Sequence, residues 1–187
     1  MSAPELVIGR FAADIVEVGA YRGRAPELAA VARAQGVTLP TFGRIAAGVS
    51  GLSLCVRPER WLLLSPPAAP GAAAADWQRH CAGVGAAVDL SSSLAVGYLE
   101  GPALRDVLAR GCRLDLDPDV FPAGYAAATI VAQVSIMLAA LGPGFLLLTP
   151  ATTAMHLIDW LESAARALGP LSHTNPSLAD LIGRAHR

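Results

Sequence analysis

Between Arg105 and Phe121 the chain reads RDVLARGCRLDLDPDVF, a helix-like run followed at once by a cysteine and then by aspartates at alternate positions. Two chemistries could use such a stretch: a thiolate at Cys112, or a cation loop at Asp115, Asp117 and Asp119. The thiolate is badly placed. Pro102 suits the first turn of a helix with Leu104, Val107 and Leu108 inward, and Gly111 stands where a C-terminal cap belongs. Cys112 then follows the negative end of the helix dipole, which disfavours an anionic nucleophile. The cation loop lacks two of its defining residues, because Val120 stands where glycine makes the turn and Ala126 where a bidentate glutamate is needed. The stretch therefore reads as helix, cap and re-entry into a strand.

Other reactive residue types fare no better. His80 and Cys81 are sequence neighbours whose side chains diverge on a helix, and no pair of cysteines or histidines has chelating spacing. His156 lies among apolar residues, as a core or interface histidine does. Asp89-Leu90-Ser91-Ser92-Ser93 joins hydroxyls to a carboxylate, yet it has neither a G-x-S-x-G elbow nor a nearby histidine, and reads as the entry to a strand. No G-x-G-x-x-G marks a dinucleotide site. The chain contains no lysine, which excludes a Schiff base, covalent pyridoxal phosphate and a Walker A lysine. No catalytic, cofactor-binding or metal-ligating residue is assigned.

Composition narrows the class. The chain has 187 residues, 14 basic and 15 acidic, so no basic footprint points to nucleic acid or an anionic membrane. Apolar residues make up 53% and charged residues only 16%, more apolar surface than one modest core requires. Three widely spaced cysteines, Cys55, Cys81 and Cys112, argue against a disulfide framework and for a reducing cytoplasm. Glu5 and Asp14 interrupt the N-terminal region where an export signal needs an unbroken apolar run. The interval between Asp119 and Asp159 holds no Asp, Glu or Arg, but Gly142-Pro143-Gly144, Gln133 and Ser135 break it. It reads as a buried β-hairpin rather than a membrane span.

The elements that would position these residues come in two similar sets. Leu52 to Arg57, a turn at Pro58-Glu59-Arg60, Trp61 to Ser65 and an alanine-rich helix to about Cys81 form one set. Ala126 to Ala139 as a single alternating strand, a Gly-Pro-Gly turn, Phe145 to Thr149 and a helix over Thr152 to Leu168 form the other. WLLLSPPAAPGAAAADW and FLLLTPATTAMHLIDW match in residue type as well as position. Each set adds a strand and a helix in front: Leu6 to Val18 with Arg24 to Gln35, and Ala86 to Leu99 with Pro102 to Arg110. The expected fold is α+β, with two related halves (about 1–84 and 85–170) in one domain and mixed or antiparallel sheets covered by helices. A polar tail, 171–187, is expected as a short arm that orders against a partner. A hairpin apolar on both sides, in a chain with short helices, also points to a tightly bound partner.

The runs AVDLSSSLAV (Ala87 to Val96) and GPALRDVLARGCRLDLDPDVFP (Gly101 to Pro122) closely resemble the gamma subunit family of heterotetrameric sarcosine oxidase. So do Arg57-Pro58-Glu59-Arg60-Trp61-Leu62-Leu63 and Phe145-Leu146-Leu147-Leu148. That family is in turn similar to the folate-binding domain of the glycine-cleavage aminomethyltransferase. The resemblance implies a non-catalytic structural subunit of a cytoplasmic flavoenzyme that oxidatively demethylates sarcosine or a related secondary amine. It also implies alpha, beta and delta partners holding FAD, FMN, NAD, tetrahydrofolate and zinc, with no cofactor in this chain. A stand-alone folate-binding, aminomethyltransferase-like protein is the alternative.

Overall fold

Trp61 to Ser65 and Phe145 to Thr149 offer almost no polar side chain to water, so each strand must be covered on both faces. In the computed structural model, which describes residues 6–49 and 51–185, two stacked sheets with helices on both outer faces provide that cover. The first half of the chain runs β1 (Leu6–Phe11), β2 (Asp14–Ala20), α1 (Ala25–Ala34), β3 (Arg44–Ala47), β4 (Leu52–Arg57), β5 (Arg60–Ser65) and α2 (Ala72–His80). The second runs β6 (Gly85–Asp89), β7 (Leu94–Glu100), α3 (Leu104–Ala109), β8 (Ala126–Val131), β9 (Val134–Leu141), β10 (Gly144–Pro150) and α4 (Ala154–Arg166). A short strand, β11 (Leu171–Thr174), and a last helix, α5 (Leu178–Ala185), follow.

One sheet has the order β3-β4-β5-β2-β6; the other, read from its β8 edge, has β8-β9-β10-β7-β1-β11. The two orders correspond strand for strand, and β11 is the addition. All pairings are antiparallel except β1 with β11. The correspondence has one twist: β1 lies in the sheet of the second half and β6 in the sheet of the first. Each half has thus given its leading strand to the other.

Strand alternation assigns the side chains to three cores. Leu62, Leu64, Leu146 and Leu148 point between the sheets, each at most 3% exposed. Their burial contributes about 2 kcal/mol apiece before entropy is counted. Trp61 and Leu63 turn outward under α1 and α2, where Leu28 and Ala74 meet them. Phe145 and Leu147 turn outward under α3 and α4, against Val107, Leu108, Leu157 and Leu161. The excess apolar composition is absorbed by these three layers, so the doubly apolar hairpin is no sign of a missing partner. The uncharged interval before Asp159 is the centre of this packing, and among the described residues no helix is long and apolar enough to cross a membrane.

Where the sheets would leave raw edges on one side, they meet. Ile45 N–H donates to Gly124 O at 3.0 Å and Ala126 N–H to Gly43 O at 2.8 Å, while the Arg44 guanidinium stacks 3.5 Å from the Tyr125 ring centroid. The seam closes the sandwich along β3 and β8 and protects both edges.

Several expected boundaries shift. The segment Ala126 to Ala139 is two strands, not one. Ala132 (φ 50) and Gln133 (φ 66) make a tight left-handed turn between β8 and β9 without the Asn or Gly that such a turn favours. An alternating pattern runs through a two-residue turn unbroken, but facing pairs then join odd positions to even ones. Val131, rather than Ile130, therefore shares the core face of Val134, Ile136 and Leu138. Leu6 to Val18 and Ala86 to Leu99 likewise split, because each run leaves one sheet and enters the other at Ala12-Ala13 and Leu90 to Ser93. Residues 171–185, expected to order against a partner, pack on the chain itself: β11 pairs with β1, and Leu178 and Leu181 of α5 enter the core between the sheets. Glu5 and the last tail residues lie outside the described residues.

Candidate functional site

The opening stretch resolves into a clamp. Arg105, on α3, donates to Leu116 O, and its guanidinium sits 5.0 Å from the centroid of the Phe145 ring. One side chain thereby ties the aspartate loop to the covered hairpin. Asp115 accepts the amide of Asp117 at 3.0 Å and Asp117 that of Asp119 at 2.9 Å, so two of the three carboxylates are used to shape consecutive turns. Among the described residues, no group of three or more His, Cys, Asp or Glu is placed to hold a metal.

Gly111 differs from its expected role. Arg110 is the C-terminal cap of the helix, in right-handed conformation, and Gly111 has no left-handed φ. It is glycine because a Cβ there would lie 2.5 Å from Cζ2 of Trp160. Next to it Cys112 bridges to Val131, with its sulfur 3.9 Å from Thr129 Oγ1, and Ala132 N–H donates to Gly111 O at 3.2 Å. The His156 Nε2 lies 3.4 Å from Ala132 O. Cys112 and His156 thus both serve the β8–β9 turn, far apart in sequence but fastened to one hairpin. Cys55 and Cys81 are buried, and burial pushes both thiols up, away from the reactive anion.

The serine run is a corner piece. The Ser91 hydroxyl donates to Asp89 Oδ1 at 2.6 Å and accepts the Ile15 amide at 3.0 Å. Asp89 also accepts the Ser91 amide at 2.9 Å, and these two bonds, the hydroxyl's first, hold its carboxyl below the usual range. With its proton given to Asp89 and a lone pair given to Ile15, Ser91 locks the β6–β7 crossover onto β2. Ser93 O accepts the Ala151 amide at 2.9 Å and so fixes the lead into α4. Among the described residues no histidine hydrogen-bonds to Ser91, Ser92 or Ser93.

A cleft of about 300 Å³ escaped the reading of the sequence; it opens between β4, β5 and α2 and is lined by Thr38, Ser53, Ser65, Asp76, Trp77 and His80. The one sequence signal for it was Ser53, a serine between the apolar residues Leu52 and Leu54, which the structure places 3% exposed. Its hydroxyl donates to Thr38 O at 2.5 Å, and Asp76 is turned aside to Arg79. His80 meets Trp77 edge-on at 5.9 Å. The polar groups shape the cleft wall rather than converge on a point within it.

The model of the family described as "Sarcosine oxidase, gamma subunit family" matches residues 22–166. The chain belongs to the sarcosine oxidase gamma subunit family. Relatives in the family include the sarcosine oxidase subunit gamma of Corynebacterium sp. (strain U-96), 35% identical over 141 residues, which are 73% of this chain and 67% of the relative. That of an Arthrobacter species is 31% identical over 139 residues, 73% and 68% of the two chains. A chain of heterotetrameric sarcosine oxidase from Corynebacterium sp. U-96, solved in complex with pyrrole 2-carboxylate, superposes with a TM-score of 0.78 at 28% identity, covering 89% of this chain and 87% of that one. The glycine cleavage system aminomethyltransferase T from Bartonella henselae superposes at 0.66 with 14% identity, over 97% of this chain but 50% of its own. The latter likeness, at 14% identity, is one of fold alone.

Proposed function

We propose that this chain is the gamma subunit of a heterotetrameric sarcosine-oxidase-type flavoenzyme and acts there as a structural subunit without chemistry of its own. One observation carries the reading: the match to gamma subunits runs through most of the chain, and the likeness to a chain of the solved heterotetramer covers nearly nine-tenths of both molecules. The candidate side chains are consistent with it, since Arg105, Ser91, Asp115 and Asp117 spend their polar atoms on the scaffold.

On this reading the substrate of the assembly is sarcosine or a related secondary amine. The alpha, beta and delta subunits hold FAD, FMN, NAD, tetrahydrofolate and zinc in a cytoplasmic complex, and this chain holds none of them. It is one domain of two halves, about 1–84 and 85–170. The stand-alone folate-binding alternative would rest on the aminomethyltransferase likeness, which at 14% identity speaks for fold alone.

Affinity purification of the tagged chain from its own host tests the proposal. A yellow complex that contains two larger chains and a smaller one, and that oxidises sarcosine, is expected. A colourless chain eluting alone would overturn it, and saturable folate binding by that lone chain would favour the alternative.

A further inference from the structure

The crossovers that exchange β1 and β6 between the sheets leave a recessed corner, and three concavities open there side by side. The first, about 110 Å³, lies under α4; Ala95 and Gly97 form its floor because they take the helix-facing positions of β7 and are too small to fill them. Leu147, Leu157 and Ile158 wall it. The second, about 450 Å³, has Phe11 in its lining and runs between Pro66-Pro67 and the segment Asn175 to Ala179. The third, about 530 Å³, follows Ala12, Ala13, Ser91 and Leu94.

Arg10 lines all three. Its side chain is exposed, and the contact it makes is with the sulfur of Met155, 3.7 Å from Nη1, a weak acceptor. Among the described residues no carboxylate forms an ion pair with it. A guanidinium presents a planar fork of donors that matches a carboxylate, and the walls around this one are largely apolar or proline, which has no N–H to offer, with neutral Thr149, Ser91, Asn175 and Ser177 as the polar side chains among them. Met155, 58% exposed, continues the apolar surface past the rim.

We propose that this corner is the docking surface for a segment of a larger partner subunit, one that places an aliphatic side chain under α4 and a neighbouring Asp or Glu on Arg10. The inference rests on the subunit role proposed above. Charge complementarity decides the occupant: a purely apolar segment would leave the guanidinium without a partner at the centre of the contact, and a small anion would leave the apolar hollows empty. The smallest hollow has room for one aliphatic side chain, and the rigid Pro66-Pro67 ledge holds the groove open beforehand, which lowers the ordering cost of binding.

The test compares the tagged wild-type chain with Arg10→Glu, Arg10→Gln and a control, Arg33→Glu on the exposed side of α1, each purified from the native host. Thermal melting first verifies that every variant is folded. Recovery of the flavin-bearing chains is expected to fall about tenfold with R10E, less with R10Q, and to stay unchanged with R33E. A photo-cross-linking residue at position 67 or 179 is expected to mark a partner peptide with Asp or Glu beside an aliphatic residue. Equal recovery with R10E would overturn the docking surface and leave the subunit role standing, and so would cross-links to a second copy of this chain. A wild-type chain that recovers no flavin-bearing subunit would overturn the role and the inference together.

Discussion

The guanidinium of Arg105 lies 5.0 Å from the ring centroid of Phe145, joining α3 to the strand that both sheets and helices cover. Because the same side chain donates to Leu116 O, truncating it removes a cation–π contact and leaves a partly buried carbonyl without that donor. Arg105→Ala is expected to cost about 1–3 kcal/mol. Urea denaturation checks this, with the midpoint lowered and the slope unchanged. Arg105→Lys recovers less than half of the loss, because an ammonium cannot stack as a planar guanidinium does.

Gly111→Ala tests the close approach of Trp160. A methyl group 2.5 Å from Cζ2 forces either the ring or the α3 terminus to move, for about 1–3 kcal/mol. The expected signature is coupling: in a Trp160→Leu background the same glycine change costs much less, and a double-mutant cycle on melting data measures the difference.

The turn between β8 and β9 is open to improvement. Gln133 has a φ of 66, a left-handed conformation that costs a side chain about 1 kcal/mol and glycine almost nothing. Gln133→Gly is expected to raise the melting temperature by about 2–4 °C. A lower melting temperature would mean that the Gln133 side chain contributes more than its backbone loses.

Acid should loosen the C-terminal helix before the rest. Asp180 accepts from the Ser177 hydroxyl at 2.7 Å and the Ser177 amide at 2.8 Å, and the hydroxyl bond first, then the amide bond, lowers its folded value below the ordinary 3.8. A carboxyl depressed in the folded state contributes stability that is present above its unfolded value and lost as pH falls through the folded one. Hydrogen exchange in 178–185 is therefore expected to accelerate below about pH 4 while β9 and β10 stay protected. Asp180→Asn should show that faster exchange already at neutral pH.

Much of this architecture was legible beforehand, and the reasons are local. WLLLS and FLLLT announce strands with no wet face, and the proline and alanine runs after them announce helices; that signal needs no knowledge of the partner elements. The misplaced strand boundaries have one cause, which is that strand alternation does not record where a strand changes direction or sheet. Ala132-Gln133 turns the chain with residues that do not advertise a turn, and Ala12-Ala13 moves it between sheets with no more than a pair of small residues. The roles of Ser91, Asp115 and Asp117 as scaffold residues could be read from their neighbours, because short polar side chains before a turn cap their own backbone. The corner around Arg10 could not, since it is assembled from β1, the Pro66-Pro67 segment after β5, β7, β10, α4 and the tail.

The reciprocal placing of β1 and β6 has the geometry of a strand-exchanged homodimer whose two chains have been joined end to end. Neither half owns a complete sheet: cut between 84 and 85, each fragment would lack one strand and present a bare edge where the other's belongs. The contacts that finish either sheet cross from one half to the other, Val16 with Asp89 and Val7 with Glu100, so the two halves cannot mature one after the other during synthesis. Neither half is expected to fold alone, and two complementary fragments mixed together are expected to restore the fold where either alone would aggregate.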